Sequence, residues 1–95
     1  MAKVYYTGTS VRLTCDFYNF EGLLTNPDTV KITIYDYKYE IIDSISMGSS
    51  NNAGVGKYYY DYLTDLKESR YIYEWYGEID GKPSLKRGSF QTRFI

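Results

Sequence analysis

Histidine is absent from this chain, and cysteine occurs once, at Cys15. A zinc site needs several Cys, His or acidic ligands, so that chemistry lacks its usual donors. One cysteine excludes an intrachain disulfide. Cys15 alternates with Leu13 and Phe17, which predicts a small buried hydrophobe. A reactive thiol would want a histidine or a helix N-terminus beside it, and neither is expected here. No apolar run approaches the ~20 residues of a membrane-spanning helix. Met1-Ala2-Lys3-Val4-Tyr5-Tyr6 has no long apolar segment, so a signal peptide is not expected. No Asn-x-Ser/Thr sequon occurs, and synthesis in a cytoplasm without secretion by the usual route is the expectation.

Other familiar chemistry is missing as well. There is no P-loop or dinucleotide-binding fingerprint and no Asp-x-Asp-x-Asp calcium pattern. Asp61/Asp65 and Glu74/Glu78 are the obvious carboxylate pairs for hydrolysis. Both lie on outward strand faces or in a polar connector, where solvated charge is the expectation. No catalytic, metal-binding or cofactor-binding residue is assigned, and no enzyme is expected.

What the chain has is tyrosine: 13 of 95 residues. Tyrosine joins a large apolar ring to a polar tip, which suits half-buried sheets and contact surfaces. Hydrophobic residues make up 43% and charged residues 24%, the balance of a globular domain with one core. Residues 1–95 therefore read as a single domain. The net charge of −1 argues against bulk attraction to DNA or an anionic membrane.

The charge is unevenly placed. Residues 1–80 hold 7 basic and 12 acidic side chains, whereas residues 81–95 hold Lys82, Lys86, Arg87 and Arg93 with no acid. This basic final strand reads first as a charged outer face that blunts an edge. Its sharper reading is a docking edge for an acidic neighbour.

Period-two alternation marks the strands. Val11, Leu13, Cys15 and Phe17 form one inward face. Thr25-Asn26-Pro27-Asp28 is a turn. Val30, Ile32 and Ile34 face inward, with Lys31, Thr33 and Tyr35 outward. A bend is expected over 36–38, then a less regular strand over 39–46. Gly48 to Gly56 reads as a flexible loop. In the strand over 57–63, Tyr58, Tyr60 and Tyr62 share a face. A polar connector over 64–69, with one helical turn anchored by Leu66, leads to a strand over 70–78 with Tyr71, Tyr73 and Trp75 inward. Asp80-Gly81 is a hairpin signal. A last strand places Phe90, Thr92 and Phe94 inward. The whole predicts an all-β fold, a sandwich or barrel.

Tyr58, Tyr60, Tyr62, Tyr71 and Tyr73 are expected in the core or its rim. Tyr35, Tyr37, Tyr59 and Tyr76 fall on outer faces or turns, where grouped aromatics suggest contact with another chain. With Lys86 and Arg87 they are the candidate interface, and the loop from Gly48 to Gly56 and the Leu23-Leu24 segment are the next candidates. Stacking on single-stranded nucleic acid is disfavoured, because Asp61, Asp65, Glu74 and Glu78 sit beside the basic-aromatic segments and repel phosphate.

Gly8-Thr9-Ser10-Val11-Arg12-Leu13, Pro27-Asp28-Thr29-Val30-Lys31-Ile32 and Gly56-Lys57-Tyr58-Tyr59-Tyr60 follow a recurring strand-and-turn pattern. Tyr71-Ile72-Tyr73-Glu74-Trp75-Tyr76-Gly77, Asp80-Gly81 and Gly88-Ser89-Phe90 continue it. The chain resembles the small immunoglobulin-like (Ig-like) proteins of bacteriophage virions over nearly its whole length. The resemblance implies an antiparallel Ig-like β-sandwich of about seven strands. It implies a non-enzymatic virion component of the head or head–tail region, docking on a capsid, connector or tail protein, with a homo-oligomer within the particle as a further partner option. The chain departs from antibody-type domains in lacking paired cysteines. The alternative reading is a host-surface or glycan-binding module using exposed tyrosines.

Overall fold

A computed structural model describes residues 3–94. Among these residues the chain forms eight strands: β1 (Lys3–Tyr6), β2 (Ser10–Asp16), β3 (Val30–Tyr35), β4 (Ile41–Ser46), β5 (Asn52–Gly54), β6 (Lys57–Leu63), β7 (Arg70–Ile79) and β8 (Lys82–Arg93). They make two sheets, one ordered β1-β8-β7-β3-β4 and the other β2-β6-β5. The fold is thus all-β, in two layers.

Alternation in the sequence becomes the core directly. β2 has a strict exposed–buried pattern, with Val11, Leu13 and Cys15 inward, and Phe17 extends the row. Opposite them lie Val30, Ile32, Ile34, Tyr71, Trp75, Ile79 and Phe90 of the larger sheet. Ile32 and Trp75 are neighbours in register, and both are 0% exposed. Tyr71 stacks on Phe90 at 5.0 Å within the larger sheet and meets Tyr62 of the smaller one edge-on at 5.6 Å. The layers come very close at Gly77, where an added Cβ would lie 2.5 Å from Phe17 Cε1. Only glycine fits there, because the Phe17 ring occupies the space a side chain would need.

The hairpin expected at Asp80-Gly81 forms with φ of 53° and 74°, the double left-handed turn that joins strands with their natural twist. Several other expectations need correction. β1 pairs with β8 in parallel, so the arrangement is not purely antiparallel. The third predicted strand begins at Ile41 and not at Tyr39, because Tyr39 has φ 65° and belongs to the preceding turn.

Gly48 to Gly56 is not a plain loop: it holds a 3-10 turn at Ser49–Asn51 and then β5. Asn51 Nδ2 donates to the Tyr59 carbonyl at 3.0 Å and Asn52 Nδ2 to Asn26 Oδ1 at 3.1 Å, tying the segment to β6 and to the turn before β3. Residues 64–69 form no helical turn. Leu66 is 78% exposed, and the anchor is the buried Thr64, whose N–H and hydroxyl both donate to the Thr9 carbonyl. Thr33 sits on the outward face yet is buried, with its hydroxyl 3.4 Å from Ser44 Oγ. Phe94, expected inward, lies beyond β8 and is 74% exposed.

Candidate functional site

The six residues singled out from the sequence do not form one surface. Tyr35, Tyr76 and Arg87 lie on the outer face of the larger sheet. Tyr35 pairs with Ile72 and Tyr76 with Lys31, so the two rings are four positions apart along β3, about 13 Å. Tyr59 lies on the outer face of the smaller sheet. Tyr37 lies in the β3–β4 turn. Lys86, in register with Trp75, points between the sheets, where its Nζ donates to the Thr14 carbonyl at 3.3 Å.

The outer-face groups are also partly engaged. Arg12 lies over the Tyr59 ring at 4.3 Å, and the Tyr59 hydroxyl donates to the Ser50 carbonyl. Lys31 lies over Tyr76 at 5.5 Å, and the Tyr76 hydroxyl donates to Glu78. Arg87 donates to Glu74 at 2.7 Å. Arg12 grips Asp61 through two nitrogens at 2.7 and 2.8 Å. That hydrogen bond is the main reason the Asp61 carboxyl titrates below its usual range. Within the two carboxylate pairs, Asp61 and Glu74 are each held by an arginine, Glu78 by the Tyr76 hydroxyl and Asp65 Oδ1 by the Leu66 N–H.

Two loops hold exposed apolar side chains on ordered turns, while Tyr6, Leu63, Leu66 and Phe94 are exposed elsewhere. The first is Tyr18–Leu24, where Tyr18, Phe20 and Leu23 are 52%, 75% and 61% exposed. Asn19 builds it. Its N–H donates to the Leu23 carbonyl, its carbonyl accepts from Gly22, and its Oδ1 accepts from the N–H groups of Glu21 and Leu23. Gly22 takes the left-handed position at φ 83°. Lys82 approaches the Phe20 ring at 5.7 Å.

The second is the β3–β4 turn, and its hydrogen bonding is the same. Asp36 N–H donates to the Glu40 carbonyl, the Asp36 carbonyl accepts from Tyr39, and Asp36 Oδ1 accepts from Lys38 and Glu40. Here the left-handed position holds Tyr39 and not glycine. That costs about 1–2 kcal/mol of backbone strain. Tyr39 recovers none of it by burial, being 73% exposed, and Tyr37 and Ile41 beside it are 61% and 64% exposed.

The two loops lie at opposite ends of β3, in a molecule with extents 43 × 25 × 23 Å. Comparison with protein-family models, curated proteins and solved structures returns no match.

No cluster of three His, Cys, Asp or Glu side chains placed to hold a metal occurs among the described residues. Among them no helix is long and apolar enough to cross a membrane. Cys15 is buried, and that burial pushes its thiol pKa up to about 11, leaving it protonated at neutral pH.

Of the two loops, the sequence pointed to Tyr37 and, as a next candidate, to Leu23-Leu24. Phe20 and Tyr39 were missed because strand alternation is silent in turns. The available signal was local: an Asn or Asp followed three residues later by the left-handed residue, with apolar residues between or just after.

Proposed function

We propose that this chain is a non-enzymatic assembly module, a structural component of a bacteriophage virion that docks on a neighbouring capsid, connector or tail protein. The observation that carries the reading is the pair of Asx-built loops, each holding exposed apolar side chains on an ordered turn at opposite ends of β3. Ordering such a loop in advance lowers the entropy cost of binding. Tyr39 adds weight, since a strained, exposed aromatic at a turn tip is the kind of outlier that clusters at functional positions. A rigid two-layer body with a contact loop at each end suits a spacer between neighbours in a particle.

An Ig-like sandwich is the finer fold reading. The order β1-β8-β7-β3-β4 over β2-β6-β5, with β1 parallel to β8, supports it. So does the Tyr71 hydroxyl at the start of β7, which accepts from the Asp65 N–H at 3.3 Å in the β6–β7 corner. That contact matches the tyrosine corner of such domains.

The glycan-binding reading draws on the same tyrosines. It is weakened at Tyr59 and Tyr76, where a cation already lies over each ring. The test is to purify particles of the phage whose genome encodes this chain and to titrate the isolated protein against a glycan array. Stoichiometric presence in particles without sugar binding supports the assembly reading. Saturable sugar binding with no association with particles would reverse the order.

A further inference from the structure

The edge of the larger sheet is only partly covered. β1 pairs with Phe90–Arg93 at the end of β8. β8 itself runs from Lys82, so among the described residues its first eight are flanked by β7 on one side only. Which backbone groups face outward follows from the hairpin. Ile79 and Lys82 close a two-residue turn, and that closing pair is hydrogen-bonded. In an antiparallel ladder bonding alternates, so the even-numbered residues of β8 bond β7 and the odd-numbered ones point away. Two observed bonds agree: the Thr92 N–H donates to Ser69 in the connector into β7, while the Arg93 carbonyl accepts from Thr7 on the β1 side. The open edge therefore presents the N–H and C=O groups of Leu85 and Arg87 and the N–H of Ser89, whose carbonyl faces the Lys3 N–H of β1. Pro83 occupies the same parity and brings no N–H, as expected of an edge position.

Beside this edge, β2 is the outer strand of the facing sheet. A groove of about 430 Å³ runs between them, lined in part by Leu13, Tyr73 and Phe90 and by the cations Lys3, Arg12 and Lys86, with no carboxylate in its lining. Arg12 is neutralised by Asp61. Among the described residues Lys3, Lys82 and Lys86 make no ion pair. Among the described residues, the one side-chain hydrogen bond from β8 to β2 is that from Lys86 to the Thr14 carbonyl.

We propose that the free edge of β8 from Pro83 to Ser89 takes an added β-strand, an extended acidic segment of a partner protein. Its backbone would complete the ladder at Leu85, Arg87 and Ser89, the mode by which open sheet edges capture peptides. Acidic side chains facing the groove would meet Lys86 and Lys3, and the alternate, apolar ones would lie beside Leu85 on the outer face of the sheet. A second copy of this chain is the poorer occupant. Antiparallel pairing of two β8 edges centred on this segment would set Lys86 against its own copy, and like charges placed opposite destabilise a ladder. The inference deepens the assembly reading by naming the partner's chemistry.

The test uses a labelled, end-capped seven-residue peptide alternating Glu and Val, and its Lys/Val counterpart, with the intact protein. Fluorescence anisotropy should show saturable binding of the acidic peptide and at least tenfold weaker binding of the basic one. Amide exchange at Leu85, Arg87 and Ser89 should be fast in the free protein and slow at least tenfold with the acidic peptide. Leu85→Pro removes an outward N–H without touching the β7 ladder and should weaken binding at least tenfold. Lys86→Gln should weaken it several-fold, more so at low salt. If Leu85→Pro does not fold, the wild-type exchange measurement decides. Equal binding of the two peptides, slow exchange at these amides in the free protein, or self-association through this edge would overturn the proposal. Entry into particles by a chain that binds no acidic peptide removes this edge and keeps the assembly reading. Peptide binding by a chain that never enters particles does the reverse.

Discussion

Trp75 is the best single probe of the packing. It is 0% exposed, and its Nε1 has no hydrogen-bond partner in the structure. Two effects then oppose each other at one residue. The ring fills the centre of the core, so Trp75→Ala should cost about 3–5 kcal/mol. A domain of this size holds about 5–15 kcal/mol in total, so that variant should be largely unfolded or have a sharply lower midpoint. The indole N–H, however, is desolvated without return, a cost of about 1–3 kcal/mol. Trp75→Phe removes that donor and keeps most of the apolar ring. It loses some volume and regains the desolvation cost, so it should be within about 1–2 kcal/mol of the wild type. The assay is urea denaturation followed by far-UV circular dichroism, which does not depend on the tryptophan signal. If Trp75→Phe costs as much as Trp75→Ala, the N–H is satisfied in solution and the reasoning about this site is wrong. If Trp75→Ala melts unchanged, Trp75 is outside the core and the β7 register fails with it.

Three further outcomes follow from other positions. Gly77→Ala should destabilise by about 1–3 kcal/mol through the clash with Phe17, and Phe17→Leu in the same chain should recover part of the loss in a double-mutant cycle. Cys15 should resist thiol reagents in the native state at pH 7 and react on unfolding, since its thiol is buried and its pKa is near 11; rapid native labelling contradicts this. Burial raises the hydroxyl pKa values of Tyr60, Tyr62 and Tyr73. Raised folded-state values mean the stabilisation is complete below the unfolded tyrosine pKa of about 10 and is lost as pH rises through the folded values. The melting temperature should therefore fall above about pH 10, with some tyrosines titrating later than the rest at 295 nm.

Much of the fold was legible because burial on one strand face leaves a period of two in the residues. β2, β3, β6, β7 and the inward part of β8 all carry that pattern, and Asp80-Gly81 specifies its turn by chemistry alone. β1 and β5 were not legible. β1 is four residues long and mostly exposed, and it is held by pairing with a strand 87 positions away. β5 is three residues held by asparagine side chains. Neither has an apolar face for the sequence to show.

The candidate surface was less legible still. Tyr37 was placed rightly on a turn, but Tyr59 and Tyr35 were grouped although they lie on the outer faces of different sheets. Alternation assigns in or out; it does not say which outer face. The likeness of the Asn19 and Asp36 turns, and the substitution of Tyr39 for glycine in one of them, depends on backbone angles and hydrogen bonds that only the structure supplies.

The central claim is that the end loops are contact surfaces within a particle. Quantitative mass spectrometry of purified virions, comparing wild type with Phe20→Ser/Leu23→Ser and with Tyr37→Ser/Tyr39→Gly, tests it most directly. Tyr39→Gly relieves backbone strain and should raise stability by about 1 kcal/mol, so any loss from the particle cannot be charged to unfolding. The account predicts wild-type incorporation at fixed stoichiometry and at least a tenfold drop for one or both variants at intact fold. Full incorporation of both variants, or absence of the wild-type chain from particles, would contradict it.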